Sequence, residues 1–119
     1  MAESERLHVE VGGVKAGCPP SRIPGNLCID VRALPNPWSQ IKAGRVADTA
    51  DAIAAWLRSR RRDLFDELVD GVVEELNKGR SVRVQCYGGR HRSWAVAAAA
   101  ASKYNSGVAE PVAVQRLCE

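Results

Sequence analysis

The sequence predicts an α/β domain: a single-layer, mostly parallel four-stranded sheet flanked by helices. Three observations carry that expectation. Short segments that alternate apolar and polar residues are separated by longer ones with apolar residues at helical spacing. Their order is strand, strand, helix, helix, strand, helix, strand. A glycine-rich loop joins one strand directly to the most apolar helix. Helical crossovers between strands imply parallel pairing in a layered sheet.

Leu7-His8-Val9-Glu10-Val11 alternates as a half-buried strand should, and Gly12-Gly13 can end it. Gly17 to Gly25 contains three prolines and reads as an irregular loop. Leu27-Cys28-Ile29-Asp30-Val31 is close to a continuous apolar run, the pattern of an interior strand covered on both faces. In Leu34-Pro35-Asn36-Pro37-Trp38 the two prolines exclude a helix and favour a stiff, extended loop.

The middle of the chain is helical. Ala50, Ile53, Ala54 and Leu57 form one apolar stripe; Leu64, Phe65, Leu68, Val69, Val72, Val73 and Leu76 form a longer one. Arg58-Ser59-Arg60-Arg61-Arg62 between them reads as a helix end and a connection, and Asn77 with Gly79 closes the second helix. Ser81 to Cys86 alternates again as a strand. Ser93 to Tyr104, with five consecutive alanines from Ala97 to Ala101, is an apolar helix suited to close packing on a sheet. Pro111 to Leu117 is the last strand, with proline at its start where no ladder donor is needed.

A chain of 119 residues with 45% hydrophobic content suits one core and not two, so residues 1–119 are read as a single domain. The net charge of +3 permits a phosphate or nucleic-acid partner without deciding for one. No apolar run approaches the roughly 20 residues that cross a membrane, and the polar start lacks the apolar region of a signal peptide. The cysteines at 18, 28, 86 and 118 form no Cys-x-x-Cys pair and read as free thiols in a reducing cytoplasm. His8 has no partner ligand in sequence, so neither a metal nor a cofactor is expected.

The chemistry concentrates in Cys86-Tyr87-Gly88-Gly89-Arg90-His91-Arg92-Ser93. In an open α/β sheet ligands sit beyond the carboxyl ends of the strands. Gly88 and Gly89 allow the backbone to turn its N–H groups toward one point, and the helix start at Ser93 adds partial positive charge. Arg90, His91 and Arg92 add donors, although cations at a helix N-terminus are disfavoured unless an anion compensates them. Arg32, after the neighbouring strand, is expected at the same rim. A solvated turn is the plain alternative; three basic groups beside two glycines favour a ligand. The expected partner is therefore a phosphorylated small molecule, a sugar phosphate or a nucleotide, held by Asp30, Arg32 and Cys86 through Ser93.

Cys86, Gly89, Arg92 and Ser93 also match Cys-x-x-Gly-x-x-Arg-Ser, which resembles the signature loop of the cysteine-dependent tyrosine phosphatases. That resemblance implies catalysis, with Cys86 as nucleophile and Arg92 as transition-state clamp. Gln85 stands where those enzymes have histidine, and the candidate acids Asp30 and Asp48 lie in no recognisable acid motif.

Over nearly the whole chain, from about Leu7 to Leu117, a second resemblance holds. Cys28-Ile29-Asp30-Val31-Arg32-Ala33-Leu34-Pro35-Asn36-Pro37, Gly79-Arg80 before a strand, and the Cys86–Ser93 segment resemble the C-terminal domain of the RNase adapter protein RapZ. The resemblance implies a non-catalytic regulatory domain that senses an amino-sugar phosphate, binds RNA and self-associates, with its pocket between Asp30/Arg32 and the glycine loop. A homo-oligomer follows from it. The chain departs from the family in lacking a P-loop kinase-like segment, in Tyr87 for the usual threonine, and in Trp94 after Ser93. Tyr87 and Trp94 are two aromatics beside the loop that can reshape the pocket or stack on a base or sugar. Should RNA bind, Arg58, Arg60, Arg61 and Arg62 are its candidate backbone contacts, against the plain reading of a solvated charge run.

Overall fold

The computed structural model describes residues 6–118. Strand β1 (His8–Gly13) is followed by a long loop with a single 3-10 turn at Pro24–Asn26, then by β2 (Cys28–Asp30). Helices α1 (Trp38–Lys42) and α2 (Ala50–Asn77) lead to β3 (Val82–Cys86), and α3 (Arg92–Asn105) to β4 (Ala113–Arg116). The sheet order is β2-β3-β1-β4 and every pairing is parallel, as the alternation of elements predicts.

The layering follows from the order of the strands. The crossovers β2-α2-β3 and β3-α3-β4 step in the same direction across the sheet, so right-handed connections place both helices on one face. There Val9, Val11, Val82 and Val84 meet Phe65, Val72, Leu76, Val96 and Ala100 in a single core. The alanines of α3 let it lie close to both the sheet and α2. The β1-to-β2 step runs the other way, and its loop covers the opposite face. That face is polar. Glu10, fully buried, accepts hydrogen bonds from the Ser21 hydroxyl at 2.8 Å and the Arg22 N–H at 3.0 Å, and lies 3.7 Å from the Arg83 guanidinium.

Three expectations are corrected, and one on the central helices is met. β2 is an edge strand, not an interior one, and Cys28 and Asp30 project exposed from the polar face. The two central helices stand as expected within Ala50–Asn77: they part at Arg61, whose φ and ψ of −143° and 64° leave the helical region inside the predicted Arg58–Arg62 connection. The expected loop Leu34–Trp38 is free of helix only as far as Pro37: Pro37 is the N-cap of α1, Trp38 its first residue, and the Asn36 carboxamide accepts the Trp38 N–H at 3.0 Å. Cys18 and Cys118 are joined as a disulfide, leaving only Cys28 and Cys86 free. Spacing along the chain carries no sign of that bond, because its two sulfurs belong to segments 100 residues apart. No helix among the described residues is long and apolar enough to cross a membrane.

Removing one partner of a buried pair leaves the other charge stranded. Glu10→Ala is expected to cost about 3–5 kcal/mol in chemical denaturation, and a loss below about 1 kcal/mol would show that the polar face contributes little.

Candidate functional site

The Cys86–Ser93 loop leaves the carboxyl end of β3 and meets the end of β1 backbone to backbone. Gly13 pairs with Cys86 in register, and beyond it Val14 N–H donates to Cys86 O at 3.1 Å and Lys15 N–H to Tyr87 O at 2.9 Å. A Cβ at Gly13 would stand 2.6 Å from both Gly89 N and Tyr87 O. Gly89 turns at φ 68°, and a Cβ there would stand 2.5 Å from the Cys118 sulfur and 2.7 Å from Gly12 C. Side chains are excluded from both sides of this contact. The glycines at 12 and 13 thus do more than end a strand.

Helix α3 begins immediately after the loop. His91 is its N-cap residue but makes no capping hydrogen bond, and the first turn has no acidic residue. The turn therefore presents N–H groups and partial positive charge without an internal counter-charge. Arg92 reaches back across the gap: its Nη1 donates to Arg32 O at 3.0 Å and Leu34 O at 3.1 Å, pinning the segment after β2 against the loop.

These contacts frame a cavity of about 330 Å³ lined by Lys15, Asn36, Trp38, Cys86, Tyr87, Gly88, Arg90, His91 and Arg92. Of the predicted ligand residues, Cys86, Tyr87, Gly88, Arg90, His91 and Arg92 border it. Gly89 and Ser93 are buried beneath, supporting the turn. Asp30 and Arg32 do not border it. Their side chains clamp each other, with Arg32 Nη2 2.8 Å from Asp30 Oδ2, and only the Arg32 carbonyl meets Arg92. Trp94 also stands away from the cavity, packed against the core with the Arg116 guanidinium 3.7 Å over its ring. Lys15, Asn36 and Trp38 are the residues that sequence reasoning missed. The Asn-Pro-Trp and Gly-Gly-Val-Lys runs were the available signals.

The electrostatics are one-sided. No carboxylate lines the cavity, and among the described residues neither the Lys15 ammonium nor the Arg90 guanidinium has an ion-pair or hydrogen-bond partner. His91 lies 3.6 Å from Asp48. Burial nonetheless lowers its pKa, the charges of Arg90, Arg116 and Arg92 adding to the effect against the pull of Asp48. A larger groove of about 780 Å³ along α2 is lined by Asp63, Asp66, Glu67, Asp70 and Glu74 and repels anions. Arg62 borders that acidic groove. Arg58 pairs with Asp66 at 3.2 Å, and Arg60 lies over Trp56.

Cys86 is buried, with 3% of its surface exposed. Its sulfur lies 3.2 Å from the Ser93 hydroxyl and accepts the Gly89 N–H at 3.2 Å. Burial pushes the thiol pKa up, but Ser93 through its hydroxyl and its N–H, the Gly89 N–H and the Arg92 charge together bring it below the ordinary value. Of the two candidate acids, Asp30 is a poor proton donor: despite some desolvation, its hydrogen bonds from Arg32 hold its pKa low.

In a Cys28→Ser background, alkylation of Cys86 should therefore rise at a lower pH than that of an ordinary cysteine, because its thiolate forms earlier. Ser93→Ala, which removes a donor to the thiolate, should move that midpoint upward. A midpoint unchanged in the variant would contradict the role given to Ser93.

The loop, the β2 edge and the glycine contact all lie within residues 6–117, the span matched by the family model of the RapZ C-terminal domain. Among proteins of curated function, none matches the chain. A match that takes in every element of the sheet and both sides of the cavity shows that the chain belongs to the RapZ C-terminal domain family.

Proposed function

We propose that this domain captures a phosphorylated small molecule at the Cys86–Ser93 loop and acts as a binding module rather than a catalyst. Membership of the family makes it a binding and regulatory domain; the phosphorylated ligand is the further step. One observation carries it. The cavity gathers Lys15, Arg90 and Arg92 around an uncapped helix N-terminus with no carboxylate in its lining, and two of these cations are unpaired. Like charges assembled this way repel one another until an anion enters. A phosphate offers oxygens to the helix N–H groups, to Arg90 and to Lys15 together. Arg92 contributes by holding the Arg32–Leu34 segment in place. The arginines of α2 serve an RNA backbone poorly, because the acidic groove that Arg62 borders and the Asp66 carboxylate beside Arg58 compete for them.

Phosphate should raise the melting temperature of the chain. Arg90→Ala and Lys15→Ala should each weaken its binding roughly ten- to a hundredfold, since a hydrogen bond to a charged group is worth about 1.5–3 kcal/mol. Calorimetric titration reads the effect directly, and affinities equal to the parent's in both variants would remove the loop as the site.

The lowered thiol pKa of Cys86 supports a second reading, a cysteine-dependent phosphatase. Against it stand the burial of the sulfur and the engagement of both candidate acids, Asp30 by Arg32 at 2.8 Å and Asp48 by His91 at 3.6 Å. Absence of general-acid help costs about 10²–10⁴ in rate. Aryl phosphates should therefore be hydrolysed no faster by the parent than by Cys86→Ser, while both bind phosphate. Turnover present in the parent and lost in the serine variant would establish the enzyme instead.

A further inference from the structure

Of the four cysteines, Cys18 and Cys118 bond to each other where two supports of the site converge. Cys18 closes the turn that carries Lys15: its N–H donates to Lys15 O at 3.2 Å, and its sulfur accepts the Gly13 N–H at 3.2 Å. Cys118 follows β4, where the Leu117 N–H donates to Val11 O at 3.0 Å and continues the β1–β4 pairing. Its buried sulfur lies behind Gly89, so close that a Cβ on that glycine would stand 2.5 Å away. One covalent bond thus ties the Lys15 turn, on one side of the loop, to the residue that backs Gly89 on the other. Neither cysteine borders the cavity itself.

We propose that the Cys18–Cys118 bond is a redox latch on the anion site: the disulfide holds Lys15 and Gly89 in place for the anion, and reduction to two thiols loosens them. The proposal rests on the phosphate reading above and adds its regulation. From Val14 to Gly17 the turn is exposed, so its order depends on the bonds to Cys86 O and Tyr87 O and on the disulfide. A ligand that must itself order Lys15 binds more weakly than one that finds it placed. A dithiol supplies the two electrons. One of its thiolates attacks the half-buried Cys18 sulfur, forming a mixed disulfide and expelling Cys118 as a thiolate. The second thiolate then closes the reductant's own disulfide and expels Cys18, and the two cysteines take up the protons that the dithiol has lost. Oxidation is the reverse, with a small-molecule disulfide as acceptor. Because binding and oxidation are linked, phosphate favours the oxidised form by the same factor by which that form favours phosphate.

The test compares the whole chain in its two redox forms. After mild oxidation the denatured chain should titrate two thiols, Cys28 and Cys86, and after treatment with a dithiol all four; four in both would remove the latch. Inorganic phosphate is then titrated into each form by calorimetry. The oxidised chain should bind it about three- to tenfold tighter, the effect of ordering one flexible side chain and its turn beforehand. The double variant Cys18→Ala/Cys118→Ala should match the reduced parent under both conditions. Saturating phosphate should raise, by that same factor, the ratio of reduced to oxidised dithiol needed to half-reduce the parent. Amide hydrogen exchange reads the latch without a ligand: reduction should speed exchange at Val14, Lys15 and Gly89 more than at Val72 in α2, whereas a bond that merely stabilises the fold would loosen all of them alike. Equal phosphate affinity in the two forms would overturn the latch and leave phosphate capture standing. Phosphate bound by neither form would overturn phosphate capture, and exchange would then decide the latch alone: a selective rise upholds it and a uniform one removes it.

Discussion

Where β1 ends, its backbone lies directly against that of the loop after β3, and this contact between glycines sets the geometry of everything around it. A side chain at Gly13 would strike Gly89 and Tyr87, and one at Gly89 would strike Gly12 and Cys118. Because nothing intervenes, the β1–β3 ladder runs on past the sheet into Val14 and Lys15, and Lys15 is carried to the cavity. Closeness of main chain is what lets a short loop hold a tight turn, a buried thiol and the start of a helix in so few residues. A bulkier residue at any of these positions would act by pushing the loop away from β1, not by removing a contact.

The loop is also a place where local preference is overridden. Arginines in the first turn of a helix oppose its dipole, and a thiol sealed from water resists ionisation. Both features persist because neighbouring groups offset them. Arg92 gives its Nη1 protons to two carbonyls, and the Cys86 sulfur receives the Gly89 N–H. What is left over, the charge of Lys15 and Arg90, is the part with no internal answer. In a folded protein such residual conflict is expected at functional or strained sites.

Much of this was legible in the residues. Alternation placed β1, β3 and β4, helical spacing placed α2 and α3, and the run from Cys86 to Ser93 identified the strand-to-helix turn. The misreadings share a physical origin: they concern relations between distant segments. The apolar character of Leu27 to Val31 says nothing about whether a further strand pairs with the free edge of β2. The Arg32 side chain was expected at the rim, but it pairs instead with Asp30, two residues earlier, and does not border the cavity. Trp38 looked like a loop residue because the bond from its N–H to the Asn36 carboxamide, just ahead of α1, is a side-chain interaction that hydrophobic pattern does not register. The Cys18–Cys118 bond joins segments that only the finished sheet brings together.

Glu10 and Arg83 occupy paired positions in the β1–β3 ladder and both point away from the helices. A sheet with one face sealed by helices is open to an error in assembly, since strands rich in valine can slide along each other with little change in apolar contact. Here a slip of one residue would drive a carboxylate or a guanidinium into the valine layer, and a slip of two would separate the charges. The polar face thus acts as a check on strand alignment. By fixing Gly13 opposite Cys86, that check also ensures that the two glycine segments meet in the only register in which the loop can close.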